Sequence, residues 1–107
     1  MILHIIKKEE WETAKLSGVY KNSSLETEGF IHCSLEHQVC GVANKHYNGM
    51  EDLLLMYIDE NKVSSEVIFE DLYALNEEYP HIYGELNLDA VIKVEDFPPD
   101  EKGMFHI

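Results

Sequence analysis

Hydrophobic and polar positions along the chain change period several times, and each change marks an element. Residues 1–6 are apolar except for His4, the pattern of a buried first strand carrying one imidazole. From Lys7 the spacing becomes helical, with Trp11 and Ala14 on one face and Gly18 as the stop. Residues 19–21 read as a brief extended piece, and residues 25–29 as a helical turn ended by Gly29. That turn delivers the chain to Phe30-Ile31-His32-Cys33-Ser34, where strand alternation puts Phe30, His32 and Ser34 on one face and Ile31 and Cys33 on the other. The clearest helix follows: Leu35, Val39, Val42, Ala43 and Tyr47 keep amphipathic spacing, Asn48-Gly49 closes it, and Glu36, His37, Gln38, Lys45 and His46 form its polar face.

Residues 52–59 are a continuous apolar run, which predicts a central strand covered on both faces. A further strand is predicted at 66–73, and a loop at 76–80 because Tyr79 precedes a proline. Residues 81–86 are too short for a helix. A last strand over 88–94 ends before Pro98-Pro99, and the tail from 100 to 107 is expected to fray or lie on the surface. Two helices interleaved with strands, followed by a run of strands, predict one α+β domain over residues 1–107, its helices packed on a mixed sheet.

Charge narrows the partners. The 107 residues carry 21 acids against 8 basic residues, all lysine, for a formal charge of −13. Bulk nucleic acid and anionic membrane surfaces need clustered cations, so neither is an expected partner. No apolar run reaches membrane-span length and the first residues lack a basic leader, so a cytoplasmic protein with reduced Cys33 and Cys40 is expected.

His32, Cys33, His37 and Cys40 place four soft ligands within nine residues. Strand neighbours point to opposite faces, however, so His32 and Cys33 do not share one ion, and no metal site is expected. The same alternation separates Cys33 from His32 as a nucleophile–base pair. What remains is a non-covalent pocket built from His4, His32 and Tyr83, since buried imidazoles and a phenol are costly unless something meets them. Ser34 opens the long helix, so its hydroxyl is either an N-cap or a pocket group. On this reading the pocket lies beside that helix N-terminus, whose free N–H groups favour an anion.

His4-Ile5, Glu28-Gly29-Phe30-Ile31-His32-Cys33-Ser34, Val42-Ala43-Asn44, His81-Ile82-Tyr83-Gly84-Glu85-Leu86 and Leu88-Asp89-Ala90-Val91 together resemble the domain of unknown function 952 family over nearly the whole chain. That family is in turn similar in fold to the ADP-ribosyltransferase superfamily. The resemblance implies a split sheet with an NAD cleft formed by His4, His32, Ser34, Tyr83 and Gly84. It implies that His4 holds a ribose, that Tyr83 stacks on nicotinamide, and that a late glutamate, Glu85 or equally Glu70, supports the transition state, with His32 also in the catalytic set. NAD is then a substrate and a small-molecule nucleotide the partner. With no arginine, a pyrophosphate would rely on backbone amides, histidines and Lys7 or Lys8. The alternative is a binding or interaction module that keeps the fold without the reaction.

Overall fold

The apolar run after Asp52 forms β4 (Leu53–Ile58), every residue of which is buried. A computed structural model describes all residues, Met1–Ile107. β4 lies between β1 (Ile2–Lys7) and β8 (Val91–Asp96), antiparallel to both. Period 2 divides its side chains between two cores. Leu54, Met56 and Ile58 join Ile2 and Ile6 on one face, where Trp11 and Ala14 of α1 (Lys8–Ser17) cover them. Leu53, Leu55 and Tyr57 join Leu3 and Ile5 on the other, under Val39 and Ala43 of α3 (Glu36–His46). Both faces are therefore dry, which is why the strand reads as an unbroken apolar run.

Helix α1 stops where the sequence puts its glycine: Gly18 has φ +84°, and its N–H bonds the Ala14 carbonyl at 2.8 Å. A short pair, β2 (Val19–Tyr20) with β7 (Leu86–Asn87), and the one-turn helix α2 (Ser24–Thr27) follow around the first core. The second sheet holds β3 (Ile31–His32), β6 (Tyr79–Tyr83) and β5 (Glu66–Glu70) in that order.

The fold is α+β and the sheet is split, but every pairing is antiparallel, so the mixed sheet expected above is not what forms. The reason lies in the connections: α1, α2 and α3 each carry the chain from one sheet to another, and none returns it beside the strand it left.

Several boundaries move. Residues 79 and 80, read as loop, begin β6, where Pro80 opposes Phe69 of β5 and its carbonyl accepts the Cys33 N–H. β5 stops at Glu70, short of Tyr73, and residues 88–90 form a 3₁₀ turn before β8. The C-terminal tail does not fray. Phe105 is 1% exposed against Phe97, and its N–H bonds Asn44 Oδ1 at 2.6 Å. A phenylalanine with that much apolar surface to bury is enough to dock a short tail. No helix is long and apolar enough to cross a membrane.

Candidate functional site

The two three-stranded sheets meet at one point. Leu3 of β1 and Ser34 exchange two backbone hydrogen bonds of 2.8 Å, and no other rung joins β1 to the β3 side. Two residues on, Ile5 turns its backbone N–H and C=O toward the same edge, where no strand pairs with them. The sheet opens there into a cleft of about 740 Å³, within the ordinary range for small-molecule sites. β1 and the end of β3 form its floor, α3 one wall through Gly41, Val42, Lys45 and His46, and the β5–β6 loop with β6 the other through Tyr73, Leu75, Tyr79 and His81.

His4 borders the cleft with both ring nitrogens already engaged. Nδ1 lies 2.5 Å from the His32 carbonyl and donates to it. Nε2 accepts the Tyr20 hydroxyl at 2.8 Å, and Asn22 donates to that oxygen at 2.7 Å. Burial holds the imidazole neutral and lowers its pKa to about 4.

In the second sheet, register gathers polar groups. His32 stands opposite His81, and Phe30, two residues before it, lies beside Tyr83 with ring centres 5.3 Å apart. One face of the sheet therefore carries Phe30, His32, Tyr79, His81 and Tyr83, while Ile31, Cys33 and Ile82 enter the core. Phe30 stacks on His81 at 4.1 Å between ring centres and meets His32 edge-on at 4.9 Å. Each imidazole has a carboxylate behind it. His32 Nε2 donates to Glu28 at 2.7 Å, which also accepts the Tyr73 hydroxyl at 3.2 Å. His81 Nδ1 donates to Glu70 at 2.8 Å, and the Tyr83 hydroxyl donates to the same oxygen. These bonds draw both carboxyls below their ordinary range, Glu28 chiefly through His32 and Glu70 chiefly through Tyr83. Glu70 in turn pushes the Tyr83 phenol up to about 12.

The structure thus brings His4, His32 and Ser34 to one cleft and leaves Tyr83, Gly84 and Glu85 outside its lining. Tyr83 sits at the far end of the same sheet face, tied to Glu70, and the tyrosines that line the cleft are Tyr47, Tyr73 and Tyr79. His4 and His32 therefore share a cleft that Tyr83 does not line, unlike the expected His4–His32–Tyr83 pocket. Gly84 passes close to Ser65, and Glu85 forms a surface ion pair with Lys21 at 3.2 Å.

Ser34 caps no helix. Leu35 holds the N-cap position, its N–H donating to Gln38 Oε1 at 2.9 Å, while Gln38 Nε2 ties α3 to Glu77 and to the Glu78 carbonyl. Gln38 is accordingly buried and not on a solvated face. The cleft runs along the side of α3 to its C-terminal end and does not sit on its N-terminal turn, so Lys45 and His46 replace the expected helix N–H groups as its positive element. Burial raises the Cys33 thiol's pKa, disfavouring a thiolate.

His81 and Glu70 are the pair sequence reasoning missed as a unit. The signal was present in the alternation of His81 and Tyr83, which matches that of Phe30 and His32, but it required reading residues 81–83 as strand.

The chain matches the family model described as "Protein of unknown function (DUF952)" over residues 5–94. No curated protein matches it. It is similar to protein CC0527 from Caulobacter crescentus. The crystal structure of CC0527 has 25% identity and a TM-score of 0.88, over 98% of this chain and 92% of that one. The solution NMR structure of CC0527 aligns with a TM-score of 0.76 and 25% identity, over 96% of this chain and 89% of that one. Since the family model spans most of its length, from β1 into β8, the chain belongs to the DUF952 family of proteins of unknown function.

Proposed function

We propose that the cleft binds NAD or a related nucleotide, and that hydrolysis or transfer of ADP-ribose is the chemistry it serves. The observation that carries this reading is one of charge. Of 21 acidic residues in a chain of net charge −13, none lines the cleft, while Lys45 and four of the six histidines do. A cavity that excludes carboxylates from an acidic protein is suited to an anion. Tyr73, Tyr79 and Leu75 add flat and apolar wall for a ring, and the unpaired edge at Ile5 adds a backbone donor and acceptor. Phosphate, ring and polar edge together describe a nucleotide.

The test is to titrate with ADP-ribose by calorimetry and, separately, to follow nicotinamide release from NAD. Binding that His32→Ala weakens by about 1–3 kcal/mol, the cost of a lost polar partner, supports the reading. Absence of binding to ADP-ribose and NAD alike overturns it. A second reading, a binding module without a reaction, is favoured by the placement of Glu85 on the surface with Lys21. Binding without nicotinamide release would select it.

A further inference from the structure

Glu70 and His81 form a pair whose geometry exceeds what packing requires. His81 is 1% exposed, and its Nδ1–H is committed to Glu70 at 2.8 Å. In the neutral ring this fixes the tautomer and leaves Nε2 a lone-pair acceptor. Nε2 has no partner in the protein, yet no buried side-chain nitrogen or oxygen is left unsatisfied. That atom must therefore reach accessible space, and the space His81 borders is the cleft. His4 makes the contrast plain, because its second nitrogen is closed off by Tyr20.

We propose that His81 is the proton acceptor of the cleft and Glu70 its positioning residue. This rests on the nucleotide reading above and names a base for it. In hydrolysis of NAD, a water held at Nε2 forms the new O–C1′ bond as the C1′–N bond breaks. The electron pair of that bond leaves with nicotinamide, which departs neutral, and the water's proton passes to Nε2 and then to solvent. The Glu70 carboxylate faces the imidazolium across Nδ1–H and stabilises it, and the Tyr83 hydroxyl holds that carboxylate in place. Phe30, stacked at 4.1 Å, fixes the ring plane.

The experiment measures nicotinamide release and ADP-ribose affinity for the full chain and two variants. His81→Gly should lower release by about 100-fold or more, the ordinary contribution of a positioned base, and added imidazole should restore part of it. Glu70→Gln keeps an oxygen for Nδ1–H but removes the charge. It should lower kcat about tenfold at unchanged KM, and it serves where the cavity left at residue 81 prevents folding. Release unchanged in Glu70→Gln, or a folded His81→Gly that imidazole does not rescue, overturns the assignment. Wild-type protein that binds ADP-ribose but releases no nicotinamide overturns the base and leaves the binding reading standing; protein that binds neither nucleotide overturns both.

Discussion

The two half-sheets treat a buried histidine in opposite ways. In the β1–β4–β8 half, His4 hydrogen-bonds a carbonyl and a phenol, and burial holds it neutral with its pKa lowered to about 4. In the β3–β6–β5 half, His81 is as deeply buried, but its partner is a carboxylate and its second nitrogen is open. Burial alone makes a structural histidine. Burial with a carboxylate on one nitrogen and space at the other is the geometry the proposed proton acceptor needs.

The difference is sharpest in packing. Ile58 is fully buried between β1 and β8, whereas Phe69 of β5 is 38% exposed. Ile58→Ala should cost about 2–5 kcal/mol through lost transfer energy and a cavity, and Phe69→Ala about 1 kcal/mol or less. Urea unfolding of both variants checks this, and equal losses would erase the distinction between a buried half and a more exposed one.

A pH series tests the neutral histidine. Folded His4 resists protonation until about pH 4, while in the unfolded chain it takes a proton near the ordinary histidine value of 6.5. Between those values the unfolded state binds more protons, so the contribution is fully present above about pH 6.5 and is lost as pH falls toward 4. At 1.36 kcal/mol per unit it amounts to about 3 kcal/mol. Wild-type stability should fall over that window more steeply than that of His4→Leu, by chemical denaturation at fixed ionic strength; parallel curves would mean that His4 protonates freely in the native state.

Much of this architecture was legible because patterning and burial agreed. The run through Leu53–Ile58 and the alternation at Phe30–Cys33 each have one low-energy solution once a core exists. The cleft was legible only in part. His4 and His32 were found as polar groups in apolar strands, but Glu70 and His81 lie eleven positions apart and meet only through the β5–β6 register. Register is a tertiary property, and Pro80 inside β6 masked the strand that sets it. The docking of Phe105 escaped for the same reason, since its partners Asn44 and Phe97 are remote in sequence.

The hydroxyl that closes off His4 gives a smaller effect. Tyr20 is 2% exposed, donates to His4 Nε2 and accepts from Asn22. Tyr20→Phe keeps the ring in place but leaves buried His4 Nε2 and the half-buried Asn22 amide without their partner, so a loss of about 1–3 kcal/mol is expected in urea unfolding. A variant as stable as wild type would show that His4 finds another partner, water in the cleft included. His4 would then resemble His81, and the contrast between the half-sheets would fail.

The smallest expected effect concerns the charge of the cleft. Lys45 is exposed and lies on the α3 face that lines the cleft, whereas Lys15 on α1 is paired with Glu12 at 3.0 Å and lies outside the lining. An exposed cation acting on a phosphate a few ångströms away is worth about 0.4–1 kcal/mol at low salt, hence a two- to fivefold change in affinity. Lys45→Ala should therefore weaken ADP-ribose binding two- to fivefold at about 20 mM salt. The difference should shrink toward none near 0.5 M, where the screening length falls to a few ångströms. Lys15→Ala removes the same charge from a helix that does not face the cleft and should leave binding unchanged at both salts. Equal weakening by the two variants would mean that the net charge of the whole protein governs the encounter. No weakening by Lys45→Ala at low salt would mean that the anionic groups of the ligand lie elsewhere, and the absence of carboxylates from the cleft would need a reason other than an anionic ligand.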